Sequence, residues 1–181
     1  MTIETQNHAE EQAAAQYSSI VQMLAAVECD YDRLTELKDE REELTEAVKD
    51  AEDDEDDEER EAAELALHRW EVDNADELAA LEDAAGDCED EDDARQRISE
   101  DPLSVEVRSD WTSPGETLEA AEFCILLCTG GPAVRIVGEL NRGEPCRAWL
   151  EYQDWGTPWT QYFGASSATL CQYAAHFLFG E

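Results

Sequence analysis

The sequence predicts an α+β protein, in which an acidic hairpin of long helices precedes a small antiparallel β-meander with a C-terminal helix. Glycine and proline are absent before Gly86, whereas all five prolines and four of the five tryptophans lie beyond residue 101. Residues 1–100 carry 36 acidic and 8 basic side chains, against 11 and 4 in residues 101–181. We therefore divide the chain into an acidic helical region, residues 1–100, and an antiparallel β-sheet domain, residues 101–181.

The first predicted helix runs from about Ala9 to Lys49, because apolar residues recur there mostly every three, four or seven positions. The early steps fit the narrow seam of a coiled coil, and a three-residue slip at Leu34–Leu37 interrupts a strict heptad. No local signal stops the helix, although it could bend near Asp30–Asp32. The periodic positions are Tyr17, Ile20, Leu24, Val27, Tyr31, Leu34, Leu37, Leu44 and Val48.

A second helix is predicted from about Asp54 to Ala85 and should end at Gly86. It matches the first helix well enough to form an antiparallel hairpin with acidic residues near its tip. The acidic stretch that follows leads into residues 94–100 as a short helix or a linker. The apolar stripe of the second helix is Ala63, Leu67, Trp70, Asn74, Leu78, Leu81 and Ala85.

The β-sheet domain is predicted from alternation and turn residues. Leu103, Val105 and Val107 alternate with polar residues, which is typical of a half-buried strand. The segment from Phe123 to Cys128 is apolar on both faces, as expected of a central strand. Further strands are expected at Ala133–Leu140, at Cys146–Tyr152 and, after the aromatic loop, as a short strand to Phe163, with a hairpin loop at Asn141–Pro145. Ser166 or Ser167 can cap a last helix that buries Leu170, Tyr173, Ala174 and Phe177.

Charge is the strongest functional signal, since the net charge is −35 and residues 52–59 are eight consecutive carboxylates. No domain needs such a run to fold, because self-repulsion opposes the compact state. A surface this negative repels nucleic acid and anionic lipid, and attracts basic proteins instead. In a helix these charges would rise about 1.5 Å apart, close to the roughly 1.7 Å per phosphate along duplex DNA.

Metal binding is weakly supported by the sequence. Calcium loops of the EF-hand type, started at Asp53 or Asp87, place Glu58 or Asp92 where glycine is needed for the sharp turn. A zinc site built on Cys124, Cys128 and His176 lacks a second close pair of ligands. Buried free thiols are the favoured interpretation, and we expect neither a metal nor another cofactor.

Catalysis is also weakly supported, because only His8, His68 and His176 could act as bases near neutral pH. His8 lies in a tail, His68 lies on an acidic helix, and His176 is expected to pack within an apolar helix. No nucleophile elbow appears, and Gly130-Gly131 precedes proline rather than a phosphate-binding lysine and helix. We therefore expect the protein not to be an enzyme.

The tryptophan-rich segment from Trp149 to Trp159 is a second candidate site. Aromatic side chains are enriched both in cores and at interfaces. A core role is favoured for Tyr152, whereas Trp155 or Trp159 could be exposed and contribute to binding.

The expected compartment is the cytoplasm. The polar first residues do not resemble a secretory signal, and no apolar run approaches the length of a membrane span. Three of the six cysteines lie in apolar runs, which suggests reduced core thiols rather than a disulfide framework.

Small size, extreme acidity and Asp- and Glu-lined helices over residues 28–100 resemble the DNA-mimic anti-restriction and anti-CRISPR proteins of phages and mobile elements. The segments CTGGPAVRIVGEL and AWLEYQDWGTPW also look like those of prophage or plasmid proteins. The resemblance implies a stoichiometric inhibitor, without catalytic residues, of a host defence nuclease or CRISPR effector in the host cytoplasm. The predicted partner-binding residues are Asp50, Glu52, Asp53, Asp54, Glu55, Asp56, Asp57, Glu58, Glu59, Asp73, Asp76, Glu77, Asp87, Glu89, Asp90, Glu91, Asp92, Asp93, Trp155 and Trp159.

Two alternatives remain open from the sequence. The acidic helices could instead form a chaperone or adaptor that holds a basic nucleic-acid-binding protein before use. They could also form a coiled-coil module that dimerises through Tyr17–Val48, in which case salt would relieve the repulsion between the two copies.

Overall fold

The computed structural model describes residues 3–53 and 57–179, and it confirms the predicted α+β class. Four helices come first, followed by five antiparallel strands and a last helix. The helices are α1 (Ile3–Val27), α2 (Tyr31–Asp53), α3 (Asp57–Ala85), α4 (Glu91–Glu100) and α5 (Ser167–Ala174). The strands are β1 (Ser104–Ser109), β2 (Ala120–Cys128), β3 (Ala133–Asn141), β4 (Glu144–Gln153) and β5 (Thr160–Tyr162).

The chain forms two compact units. The sheet unit combines Met1–Leu24 with Asp92–Glu181, and the hairpin unit is Ala25–Glu91. This division differs from the predicted boundary between residues 100 and 101, because most of α1 belongs with the sheet. The Ser166 backbone N–H, for example, donates a hydrogen bond of 3.0 Å to the Tyr17 hydroxyl.

The continuous helix predicted from Ala9 to Lys49 is wrong, since α1 ends at Val27 and α2 begins at Tyr31, and this break lies beside the bend that the sequence allows near Asp30–Asp32. A capping hydrogen bond to Asp30 explains why α2 starts at Tyr31. The Asp30 carboxylate accepts a hydrogen bond of 3.0 Å from the Arg33 backbone N–H, which is the geometry of a helix N-cap. The apolar periodicity continues across this break, so periodicity alone did not reveal it.

The hairpin unit is built on α2 and α3, which run antiparallel, as predicted. Its buried core is formed by Leu34, Leu37, Leu78 and Ala85, and the half-buried Cys29, Tyr31, Trp70 and Leu81 pack against that core. Every position of the stripe predicted for the second helix is buried or half-buried. Gly86 ends α3 as predicted, with a positive φ of 58° that only glycine adopts readily.

The sheet is a meander with the order β1-β2-β3-β4-β5. Its core is formed by alternate residues of the central strands, for example Phe123 and Ile125 of β2. Tyr152 of β4 is also buried, as predicted. The alternation of the sequence therefore identified the buried face of the central strands.

The last helix, α5, packs against β4. The Ser167 hydroxyl accepts a hydrogen bond of 3.0 Å from the Ala148 N–H, so Ser167 holds the helix on the sheet. Ser166 occupies the N-cap position without a side-chain capping bond. The helix ends at Ala174, and Phe177, predicted to lie on its buried side, is half-buried beyond that end.

The β3–β4 connection is tighter than the predicted loop at Asn141–Pro145. The strands reach Asn141 and Glu144, which leaves only Arg142 and Gly143 in the turn. Their φ values are 56° and 83°, as in the two-residue turns that match the twist of a β-hairpin.

The first strand, β1, is not half-buried as predicted. It lies at the edge of the sheet, where Val105 is 40% exposed and Val107 is 52% exposed. Alternation predicts which side chains share a face, but it does not predict whether another element covers that face.

A hydrogen bond between α5 and the segment before β1 gives a first prediction. The fully buried Tyr173 donates its hydroxyl proton to the Asp101 carboxylate over 2.6 Å, and burial together with this contact raises the pKa of Tyr173. Tyr173→Phe should destabilise the sheet unit by about 1–2 kcal/mol, because Asp101 loses its partner. Urea unfolding measured by tryptophan fluorescence tests this. Tyr162→Phe is the control, and equal stability of both variants would contradict the prediction.

Candidate acidic interaction surface

Negative charge is concentrated in the hairpin unit. Its residues 25–91 include 30 acidic and 6 basic side chains, a net charge of −24. The rest of the chain has 17 acidic and 6 basic side chains, a net charge of −11. The hairpin unit therefore carries most of the charge with little more than a third of the residues.

One face of α2 carries a regular line of carboxylates, which we call the α2 acidic row. Its members recur at steps of four, three, four, three and four residues, so they follow one side of the helix. All six side chains are exposed. The row consists of Asp32, Glu36, Asp39, Glu43, Glu46 and Asp50.

The α2 acidic row points away from the hairpin core. Asp39 follows the fully buried Leu37 by two residues. Glu46 precedes the half-buried Val48 by the same interval. Two residues correspond to a rotation of about 200° around a helix. The row therefore faces outward, opposite the contact with α3.

The spacing of the row opposes helix stability, because like charges three or four residues apart repel. No basic residue interrupts the row, although Glu36 contacts Arg33 over 3.3 Å. The apolar contact with α3 must hold the helix against this repulsion. A partner with positive charge would relieve it.

Some basic side chains of the hairpin pair with carboxylates of the same hairpin. Arg33 binds Glu77 through two hydrogen bonds of 3.1 Å, and Lys38 lies 4.0 Å from Glu82. The hydrogen bonds from Arg33 lower the pKa of Glu77. These exposed pairs link α2 to α3 but contribute little stability each.

The described residues of the predicted acidic run lie at the end of α2 and at the start of α3. Asp50 and Glu52 are exposed in the last turn of α2, and the backbone of Asp53 ends that helix. The predicted residues Asp54, Glu55 and Asp56 lie outside the described residues. Asp57, Glu58 and Glu59 are exposed in the first turn of α3, where negative charge is favourable for the helix.

The other predicted carboxylates are distributed over several elements. Asp73, Asp76 and Glu77 are exposed on α3, and Glu77 is bound by Arg33. The helix also exposes Leu65 (61%) and Val72 (71%), so its outer side is less uniformly acidic than that of α2. The remaining predicted acidic residues follow α3 or open α4, and Asp92 lies 3.9 Å from Arg95. These residues are Asp87, Glu89, Asp90, Glu91, Asp92 and Asp93.

Sequence reasoning missed five of the six members of the α2 acidic row. It singled out the unbroken run, which is prominent in the sequence, and named only Asp50 from the row. The heptad-like spacing of the acidic residues was a usable signal, because it is the same period that identified the apolar stripe.

The two predicted tryptophans differ in their surroundings. Trp155 is 77% exposed, and its indole N–H donates a hydrogen bond of 2.9 Å to the Gly130 carbonyl beside a cavity of about 230 Å³. Trp159 is half-buried beneath the Arg135 guanidinium, which lies 4.0 Å from its ring and also pairs with Glu151. Trp155 is therefore the more accessible of the two.

The remaining candidate residues give no reactive cluster. All six cysteines are free, and burial raises the pKa of Cys124, Cys128 and Cys171. His176 lies beyond the end of α5 and is exposed, so the packing role expected for it is wrong. Within the described residues, no group of three or more His, Cys, Asp or Glu side chains is placed to hold a metal ion.

No protein-family model, no curated protein and no solved structure matches this chain. Across residues 3–53 and 57–179, none of the helices combines the length and the apolar character needed to cross a membrane.

The charge of the hairpin gives a second prediction. Acidification from pH 7 to about pH 4 should increase its helicity, because protonated carboxylates no longer repel. One contribution has the opposite sign. The lowered pKa of Glu77 stabilises the fold above the ordinary pKa of Glu, and this stabilisation is lost as the pH falls through the lowered value. Relief of the net charge of −24 should outweigh one exposed pair.

Circular dichroism over this pH range tests the prediction, and added salt at pH 7 should act in the same direction by screening the repulsion. A loss of helicity under both conditions would show that repulsion does not limit the hairpin.

Proposed function

We propose that this protein is a non-enzymatic DNA mimic that inhibits a basic protein by occupying its nucleic-acid-binding channel. The observation that supports this most strongly is the charge of the α2–α3 hairpin. Residues 31–85 contain 24 acidic and 6 basic side chains. Its two helices, of 23 and 29 residues, are about 35 and 43 Å long at the usual helical rise.

These dimensions are close to those of a short DNA duplex. A duplex of about 43 Å carries roughly 25 phosphates, and residues 31–85 carry 24 carboxylates with a net charge of −18. The outward α2 acidic row would offer a continuous line of charge, as one DNA strand does. The side chains differ from phosphates in shape, so mimicry concerns charge density and length rather than base recognition.

The same physics that drives DNA binding would drive this interaction. Opposite charge speeds the encounter, and release of the cations held around the acidic hairpin favours the complex. A protein scaffold offers no phosphodiester bond, so a nuclease could bind the hairpin without cleaving it as DNA. Inhibition would be stoichiometric and would persist for as long as the complex does.

The proposed target class is a host defence nuclease or a CRISPR effector, as the resemblance to anti-restriction and anti-CRISPR proteins implies. Such proteins hold duplex or heteroduplex nucleic acid in positively charged channels. The exposed Trp155 in the sheet unit is a further candidate contact to such a target.

Capture of partners tests the proposal. The full-length protein is immobilised, a lysate of the host cell is applied, and parallel samples are eluted either with a salt gradient or with duplex DNA at constant low salt. Elution of a nuclease or CRISPR effector by duplex DNA would support mimicry. A partner that stays bound against both salt and DNA, or one that remains active on DNA while bound, would contradict it and favour an acidic chaperone or adaptor.

A further inference from the structure

The edge of the sheet carries an apolar surface that the acidic hairpin does not explain. β1 pairs with β2 on one side, and no strand pairs with its other side within the described residues. An edge strand presents unpaired backbone N–H and C=O groups to any other strand. The backbone of β1 could therefore accept one more strand.

The side chains of β1 add to this tendency. Val105 pairs with Ile125, and Val107 pairs with Phe123, so the two valines share the face that is buried in β2. Large contiguous patches of exposed apolar surface, above a few hundred Å², are uncommon on monomers and often mark an interface. The buried face of the sheet thus continues to an uncovered edge. Three other apolar side chains near this edge are also exposed: Leu103 (60%), Trp111 (104%) and Leu118 (70%).

The charges of β1 indicate which strand pairs with its open edge. The strand reads Ser-Val-Glu-Val-Arg-Ser, and it is neutral within a chain of net charge −35. We propose that β1 pairs antiparallel with β1 of a second copy of this chain, centred on Val107. In that register Glu106 of each copy lies opposite Arg108 of the other, as a two-fold symmetric interface requires. Both ion pairs form by the same symmetry.

Other registers are less favourable. Centring the pair on Glu106 places the two Glu106 side chains opposite each other, and centring it on Arg108 does the same for arginine. A register centred between two neighbouring residues would place each valine opposite a polar residue and separate the apolar faces of the two strands. Among the two-fold registers of this strand, only the one centred on Val107 places Glu106 opposite Arg108, and the two charges therefore favour it.

Arg108 can serve the interface without losing its present contact. Within the chain it pairs with Glu122 of β2, which lies opposite it in the sheet. In the dimer its guanidinium would lie between this Glu122 and Glu106 of the second copy. Its side chain is 77% exposed, which leaves room for the second carboxylate.

Repulsion between two acidic chains opposes this contact. Salt screens charges farther apart than the Debye length, about 10 Å at 0.1 M, more than it screens a close ion pair. We expect the dimer to become more populated as salt rises from about 0.02 to 0.2 M, because the distant repulsion is lost first.

Sedimentation equilibrium of the full-length protein over a range of concentrations and salt tests the proposal. Glu106→Arg should reduce association at least 10-fold, because the introduced arginine would face Arg108 of the other copy. Glu106→Arg/Arg108→Glu should regain part of the association, because opposite charges face each other across the interface again while Glu122 loses its Arg108 partner. Val107→Lys should prevent association independently, by placing a charge at the centre of the interface. Glu144→Arg, which makes the same charge change on β4, should associate as the wild type does.

Two results would overturn the proposal. A wild-type chain that is monomeric at all concentrations would overturn the proposal and leave the edge to a foreign strand. Equal association of Glu106→Arg and Glu144→Arg would also overturn it. Circular dichroism confirms that each variant folds. The experiment needs no basic partner, so its result is independent of the proposed inhibition.

Discussion

Reversing three charges of the α2 acidic row should abolish binding to a partner captured by the hairpin. The variant Asp39→Lys/Glu43→Lys/Glu46→Lys changes only exposed side chains. If each lost contact is worth about 1.5 kcal/mol, the low end for close charge pairs at interfaces, affinity falls about 1,000-fold or more. Titration of the purified partner by calorimetry or fluorescence anisotropy measures this loss.

The matched control places the same change of net charge in the sheet unit. Asp110→Lys/Glu119→Lys/Glu144→Lys also alters three exposed carboxylates, and it should weaken binding far less. If both variants lose affinity equally, overall charge rather than the α2 acidic row attracts the partner. The neutral variant Asp39→Asn/Glu43→Gln/Glu46→Gln should also make binding less dependent on salt, since fewer counterions are released.

Truncating the centre of the hairpin core should unfold that unit and leave the sheet intact. Leu37 is fully buried and lies in the cluster of Leu34, Leu37, Leu78 and Ala85 that forms the core between α2 and α3. Leu37→Ala should cost about 2–5 kcal/mol, the usual range for a buried leucine. A two-helix unit that already resists charge repulsion has little stability to lose, so we expect residues 31–85 to lose most of their helicity.

Hydrogen–deuterium exchange of the Leu37→Ala variant measures the stability of the hairpin and of the sheet separately. Peptides from α2 and α3 should exchange quickly, whereas peptides from β2, β3 and β4 should stay protected. Leu65→Ala is the control, because it removes the same atoms from a leucine that is 61% exposed. Loss of protection in the sheet as well would contradict the prediction.

Much of the fold follows from local sequence patterns. The stripe from Ala63 to Ala85 repeats with the period of a helix, and every member of it is buried or half-buried. Strands β2 to β4 follow from apolar alternation bounded by turns rich in glycine and proline. These patterns concern neighbours along one element, which the sequence displays directly.

The structure differs from the sequence-based predictions where a single residue or a distant contact decides the local structure. The helix break depends on the capping bond of Asp30, which periodicity does not show. The exposure of β1 depends on what covers the sheet edge, and the environment of Trp159 depends on Arg135, far away in the sequence. For the candidate site, composition predicted an acidic hairpin, but the outward row on α2 became visible only with the buried face of that helix known.

The central claim is that the hairpin and duplex DNA compete for one channel. The captured partner is bound to a fluorescent duplex, and the full-length protein is added while anisotropy is measured at constant salt. We expect complete displacement at about one hairpin per channel, no displacement by the Asp39→Lys/Glu43→Lys/Glu46→Lys variant, and nearly full displacement by the sheet-unit control. A ternary complex in which partner, DNA and this protein remain bound together would contradict it.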